Sequence, residues 1–235
     1  MEQWLAYAKG PLFIAAFSLM VLGLLRLVFL QLVEMTGAWL RKEDRKVAWW
    51  KNLQELIAWS RPGTQIPRVQ PAIGVGIFFF HVGLIVTPLL LAEHVALWRK
   101  ALGFGWPALS RALADGLTLT VIVSALLLLG IRVFHRPSRA ICGFWDYALP
   151  LILMLPFLSG YLAMHPAFLI FRIKTMLMIH VLSGELVFVL IPFTKLSHPA
   201  LFPFGRVSSD FYWRFPGDGP DRVARTRPGE EAKTR

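Results

Sequence analysis

Cysteine is nearly absent: Cys142 stands alone in 235 residues. That excludes an internal disulfide, a CxxC redox pair, a cysteine-ligated iron–sulfur cluster and a CxxCH haem attachment. Charge is scarce as well, at 17% of residues against roughly 25% in ordinary soluble domains. With 56% hydrophobic residues and a mean hydropathy of +0.56, a water-soluble globule of this length has nowhere to hide its apolar surface. Disorder is excluded too, because 18 Phe, 9 Trp and long Leu/Ile/Val runs oppose a disordered composition. The opening residues lack the basic start and small-residue cleavage site of a removable signal, so the first apolar stretch is expected to remain. No repeat or low-complexity tract interrupts the chain.

What is present is a series of long apolar runs. A bilayer core of about 30 Å requires about 20 helical residues, and five stretches meet this: 11–33, 72–98, 113–134, 147–163 and 174–198. The fourth is short and carries Pro150 and Pro156; the fifth contains Pro192. The runs are continuously apolar rather than alternating, which disfavours a membrane β-barrel. The expectation is an all-α integral membrane bundle of five helices.

Lys and Arg set the orientation. An odd number of spans puts the termini on opposite sides, with 18 Lys and Arg on the carboxyl-terminal side and 6 on the other. That bias predicts the amino terminus outside and the carboxyl terminus in the cytoplasm. It also accounts for most of the +11 net charge as a topology signal, with anionic lipid as a secondary partner and no nucleic acid.

Two cytoplasmic pieces remain. In the first loop Val47, Trp50, Leu53 and Ile57 fall at helical spacing, with Trp49 and Trp59 near and Lys46, Lys51 and Glu55 between. This pattern predicts an amphipathic helix in the interface. The tail opens with Leu201, Phe202, Phe204 and Phe211 and becomes polar from Pro216; a partner-docking half and a flexible last fifteen residues or so are expected. Residues 1–200 thus form the membrane domain and 201–235 the tail. Neither piece is large enough for a soluble catalytic domain, so any chemistry belongs in the membrane.

Histidine in an apolar span is costly and points to function. His81 and His94 lie on the second span at inner and outer depth; His180 and His198 lie on the fifth at outer and inner depth. The depths pair His94 with His180 and His81 with His198. Two imidazoles from facing helices fill both axial positions of a haem iron, which suits electron carriage and leaves no open position. Gly74, Gly76, Gly83 and Gly184 offer small surfaces for a flat porphyrin. His180 and His198 are 18 residues apart, about five turns, and so point one way on an ideal helix. His81 and His94 are 13 apart, about 140° around an unbroken helix, so both meet the same partner only if Pro88 interrupts it. His198, preceding Pro199, is read as the end of its helix. His135 and His165, at span ends, read as interfacial hydrogen-bonding residues.

The segments FFFHVGLIV and MLMIHVLSGELVFVLIPFTKLSHP, in a five-span layout, resemble the membrane cytochrome b (gamma) subunit of respiratory nitrate reductase. The relatives of that subunit in heterodisulfide reductase and in the dissimilatory sulfite reduction complex share the likeness. It covers roughly residues 12–200. It implies two b haems held between the second and fifth spans, His81 and His198 on the inner and His180 on the outer. His94 would complete the outer pair, although the family places that histidine about one turn earlier, at the position of Leu91 here. The tryptophan-rich first loop also departs from nitrate reductase.

The resemblance further implies quinol handling near the outer haem, beside a basic residue at the position of Arg111. Electrons would pass to an iron–sulfur partner subunit on the cytoplasmic side, in the plasma membrane of a bacterium or archaeon. Arg26 is a candidate for an inner-haem propionate or for snorkelling to the surface. Glu185, five residues inward of His180, is a candidate proton relay or a neutral hydrogen-bonding carboxyl. Glu93 and Asp115 are further acceptors for quinol protons. The competing reading is a haem-free transporter or assembly scaffold, which calls for polar cavities and broken helices at mid-membrane.

Overall fold

The computed structural model describes residues 2–41, 50, 53, 54, 57, 58, 71–168 and 171–212. Those residues are helical throughout their ordered elements, with no strand among them. The helices that matter are α1 (Phe13–Arg41), α2 (Pro71–Leu90), α3 (Ala92–Leu102), α4 (Arg111–Phe134), α5 (Phe144–Met164), α6 (Ile173–Leu190) and α7 (His198–Tyr212). Five helical stretches among the described residues are long and apolar enough to cross a membrane: Glu2–Leu40, Ile73–Leu90, Arg111–Phe134, Phe144–Met164 and Ile173–Phe193. The chain is accordingly an all-helical, multi-pass membrane protein. The expected interfacial helix lies largely outside the described residues; of it, Trp50, Leu53 and Ile57 are helical and exposed. The tail beyond residue 212 lies outside them as well.

The chain divides into two compact units, Met1–Val21 with Arg61–Ile191, and Leu22–Ser60 with Pro192–Arg235. In the first, α4 packs against both α2 and α5, and α5 packs against α6. The buried stripe of α4 explains this: Ala114, Thr118, Val121, Ala125 and Leu128 recur at helical spacing, and small residues let neighbouring backbones approach closely in a membrane. Thr118 satisfies its own hydroxyl by donating to the Ala114 carbonyl at 2.8 Å. The short opening helix Glu2–Tyr7 continues through a π-turn at Ala8–Leu12, where Pro11 has no N–H to keep the α-helical ladder regular. This start of the chain packs on α6, with Phe13 and Phe17 edge-on to Phe188 at 5.9 Å and Lys174 paired with Glu2.

In the second unit α1 and the segment after Pro192 meet at Gly23. A Cβ there would lie 2.5 Å from the Cβ of Pro192, so only glycine permits the approach.

The structure corrects five expectations from the sequence. The second span does not run on to residue 98: it stops at Leu90, and Leu91 (φ −64°, ψ 131°) is extended before α3 begins. The fifth does not run on to His198 either. α6 ends at Leu190, and single 3₁₀ turns at Ile191–Phe193 and Lys195–Ser197 follow, so the five-turn spacing of His180 and His198 does not apply. His198 opens α7 rather than closing α6, because Pro199 sits in the first turn, where a missing N–H costs nothing. Gly76 and Gly83 are used for helix packing: a Cβ at Gly83 would fall 2.4 Å from Val121 and 3.0 Å from the Leu117 carbonyl, and one at Gly76 would fall 3.3 Å from Leu127. The fourth span is longer than expected, a continuous 21-residue helix that contains both prolines.

Candidate functional site: a histidine pair and an adjoining carboxylate

The break at Leu91 frees carbonyls that a continuous helix would have used. Each finds a donor. The Thr87 carbonyl keeps its helical bond from the Leu91 N–H at 2.9 Å, while the Leu90 carbonyl accepts from the Leu109 N–H at 2.8 Å. The Leu89 carbonyl accepts from Trp106 Nε1 at 2.8 Å, and the Pro88 carbonyl from His94 Nδ1 at 2.9 Å. The loop after α3 can fold back to do this because Gly103 takes φ +79°. The break and its repair together set the direction of the His94 ring.

His180 is held from the other side. Its Nδ1 donates to the Pro156 carbonyl of α5 at 2.8 Å. Gly160, one turn further along α5, makes that reach possible: a Cβ there would lie 2.9 Å from Nδ1 and 3.0 Å from Cε1 of His180. A carbonyl has two lone pairs, so Pro156 can serve the α5 ladder and the imidazole together.

The two rings come together. Their centroids are 5.9 Å apart with planes inclined by 26°. A carbonyl only accepts, so each Nδ1 carries the proton and each Nε2 keeps its lone pair for a ligand. Two imidazoles brought this close are residues that could together hold a metal ion, such as a haem iron, through their Nε2 atoms. Among the described residues no three His, Cys, Asp or Glu gather as a metal site. Beside Gly184, one turn from His180, there is open space; Trp98, one turn after His94, lies edge-on to Phe17 at 5.8 Å.

No family model and no solved structure matches the chain. A protein of Nitratidesulfovibrio vulgaris (strain Hildenborough) is 34% identical over 156 residues, 66% of this chain and 67% of that one, and its name states no activity. The chain belongs to the same family as that protein.

A second group gathers where α4 begins and α5 ends. Arg111 donates from Nη2 to the Met164 carbonyl at 2.8 Å, covering an orphan acceptor at the end of α5. Its Nε lies 3.5 Å from Asp115 Oδ2. The same oxygen is 3.3 Å from His165 Nε2, while His165 Nδ1 donates to the Tyr161 carbonyl at 2.9 Å. The His165 and Tyr161 rings stack at 4.1 Å.

The remaining candidates stand apart. Glu93 is exposed in the first turn of α3, beside His94. Glu185 is 5% exposed, and neither carboxylate oxygen has a hydrogen-bond partner. Arg26 is exposed on α1, within the second unit. His81 belongs to the first unit, its Nδ1 donating to the Ile77 carbonyl at 2.8 Å. His198 belongs to the second, its Nδ1 donating to the Lys195 carbonyl at 2.8 Å. The pairing of these last two rests on the sequence alone. A shallow groove of about 610 Å³ between α2 and α4, lined by Val75, Gly76, Phe79, Leu119 and Val123 among others, contains none of the candidate histidines or charged residues.

Sequence reasoning missed Gly160, and it read His165 as an interfacial hydrogen-bonding residue without its partner Asp115. A glycine four residues after a proline in an apolar helix was the available signal for the first. Nothing in one sequence pairs His165 with Asp115, which lies 50 positions away.

Proposed function

We propose that this chain is a membrane cytochrome b subunit of a respiratory complex. It would move electrons between a membrane quinol or quinone near the outer face and an iron–sulfur partner subunit at the cytoplasmic face. The observation that carries this is the His94–His180 pair, with ring centres 5.9 Å apart and each Nδ1 committed to a backbone carbonyl. A b haem bound there supplies one-electron chemistry at a potential tuned by its ligands and surroundings. The chain's own part is to fix both rings before any ligand arrives. The Leu91 break aims His94, and Gly160 lets His180 lie flush on α5, so little ordering remains for binding.

The inner pair of the same reading, His81 and His198, comes from the resemblance and the matched depths along the sequence, as does Arg26 as a propionate partner. Buried Glu185, with no hydrogen-bond partner, suits a carboxyl that carries a proton inside the membrane. Glu93 and Arg111 would act at the quinol end. The test is a pyridine-haemochrome assay with an iron count on the purified full chain. Two b haems per chain support the whole reading, one restricts it to a single pair, and none refutes it.

A further inference from the structure

We infer that Asp115 and His165 form the proton-accepting end of a hydroquinone site where the first turn of α4 meets the end of α5. The inference rests on the quinol reading above and assigns it residues.

The argument begins with hydrogen counting. A neutral imidazole has one N–H to give. His165 faces two acceptors, the Tyr161 carbonyl at 2.9 Å and the Asp115 carboxylate at 3.3 Å. A neutral ring beside an ionised carboxylate therefore leaves one contact without a hydrogen. The pair is complete only when it holds one more proton, whether on the ring or on the carboxylate. Such a pair is built to receive a proton from a donor that reaches it.

Position supplies the second strand. Tyr161, stacked on His165 at 4.1 Å, directly follows Gly160, whose α-carbon abuts the His180 ring. His165 itself lies five residues, about 7.5 Å of helix rise, beyond Gly160 on α5, so the acceptor pair sits further along the helix that holds the His180 ring. The side chains of His165 and Asp115 are 23% and 28% exposed, enough for a headgroup to touch and for a proton to pass on to water. Both short contacts of Asp115 use Oδ2, which leaves Oδ1 to accept from a phenolic hydroxyl. Arg111 stands beside the same carboxylate, where negative charge develops on the hydroxyl oxygen as its proton departs.

The balance is simple. A hydroquinone becomes a quinone by losing two electrons and two protons. The electrons leave singly toward the His94–His180 pair, with the ferric b haem of the preceding reading as oxidant. The first O–H bond breaks as its proton enters the Asp115–His165 pair, and that proton passes to water. The second proton follows by the same route. Here Asp115 is the catalytic base, touching the hydroxyl, and His165 is a positioning residue that shares the proton.

A purely structural account exists, since the same contacts tie α4 to α5, and the experiment separates the two. The full-length wild type, Asp115→Asn and His165→Gln would be purified into lipid nanodiscs. Two measurements follow: binding of 2-heptyl-4-hydroxyquinoline N-oxide by fluorescence quenching, and haem reduction by menadiol against the dithionite-reduced spectrum. Each variant keeps a side chain able to hold the helix tie and loses the protonic function. The expected result is an unchanged dithionite spectrum, a menadiol rate lower by about 100-fold in Asp115→Asn, and hydroxyquinoline binding weaker by about tenfold. Variants that lose thermal stability but keep wild-type binding and rate overturn the inference while leaving the quinol reading intact. Wild type that carries haem but neither binds the hydroxyquinoline nor accepts electrons from menadiol overturns both. Haem-free wild type whose hydroxyquinoline binding is lost in Asp115→Asn upholds the site and refutes the cytochrome. If Asp115→Asn does not fold, His165→Gln carries the same test, and restored binding in Asp115→Glu upholds the carboxylate's role.

Discussion

His180 and His165 are anchored by the same device and end in different chemistry. Both direct Nδ1 to a carbonyl of α5, Pro156 for one and Tyr161 for the other, at 2.8 and 2.9 Å. The ring of His180 lies beside a second imidazole, centroids 5.9 Å apart, whereas the Nε2 of His165 meets a carboxylate. An imidazole facing an imidazole offers two lone pairs and invites a metal ion; one facing a carboxylate competes for a proton. The helix sets orientation in both cases, and the residue across the gap sets the role.

The most damaging way to break this comparison is to remove the first ring. His180→Ala should abolish haem binding at the His94–His180 pair, halving total haem if two are present, as read by pyridine haemochrome. An unchanged spectrum means the pair holds no haem. The Asp115–His165 contacts involve no atom of His180, so hydroxyquinoline binding should fall far less than haem content in that variant.

A subtler break is Gly160→Ala. The new methyl would sit 2.9 Å from His180 Nδ1, so the ring must tilt away and release the Pro156 carbonyl. Overpacking of this kind costs about 1–3 kcal/mol. The expected outcome is a shifted reduced-haem absorption or partial haem loss, with Tyr161 and His165 left in contact. A wild-type spectrum at full occupancy would mean that Gly160 does not set the ring.

Gly83→Ala tests the frame rather than the site. Its methyl would meet Val121 at 2.4 Å and the Leu117 carbonyl at 3.0 Å, forcing α2 from α4 at a cost of about 1–3 kcal/mol. Thermal unfolding in detergent should show a lowered midpoint. Adding Val121→Ala should recover only part of it, because the backbone contact with Leu117 persists.

How far the sequence discloses this arrangement depends on whether the cause is local. Spans are legible because a bilayer demands an unbroken apolar length. The meeting of His94 and His180 was legible as a condition, since 13 residues on an ideal helix set His81 and His94 apart and Pro88 marked where regularity would fail. The break falls three residues later, at Leu91, because the freed carbonyls need donors, and Trp106 and Leu109 supply two of them from a loop that hydropathy cannot place. His198 was misread for a related reason. Proline forbids the helix behind it and favours the helix ahead, and sequence alone does not say which applies. Asp115 with His165 and Gly160 with His180 are contacts between helices, set by rotation about each axis, and a single sequence carries no record of that rotation.

The finest test concerns the donors that repair the break. Trp106→Phe keeps the ring and deletes the N–H that reaches the Leu89 carbonyl at 2.8 Å. One hydrogen bond of this kind contributes about 0.5–1.5 kcal/mol, so the unfolding midpoint should fall slightly. The informative readout is His94. Its Nδ1 is bound to the neighbouring Pro88 carbonyl, and loosening the Leu89 end of the break should free its ring more than that of His180, which is fixed from α5. In electron paramagnetic resonance of the oxidised haem, a changed angle between the axial imidazole planes should then appear without loss of haem. A spectrum identical to wild type would mean that the Leu109 and His94 contacts hold the break without the indole.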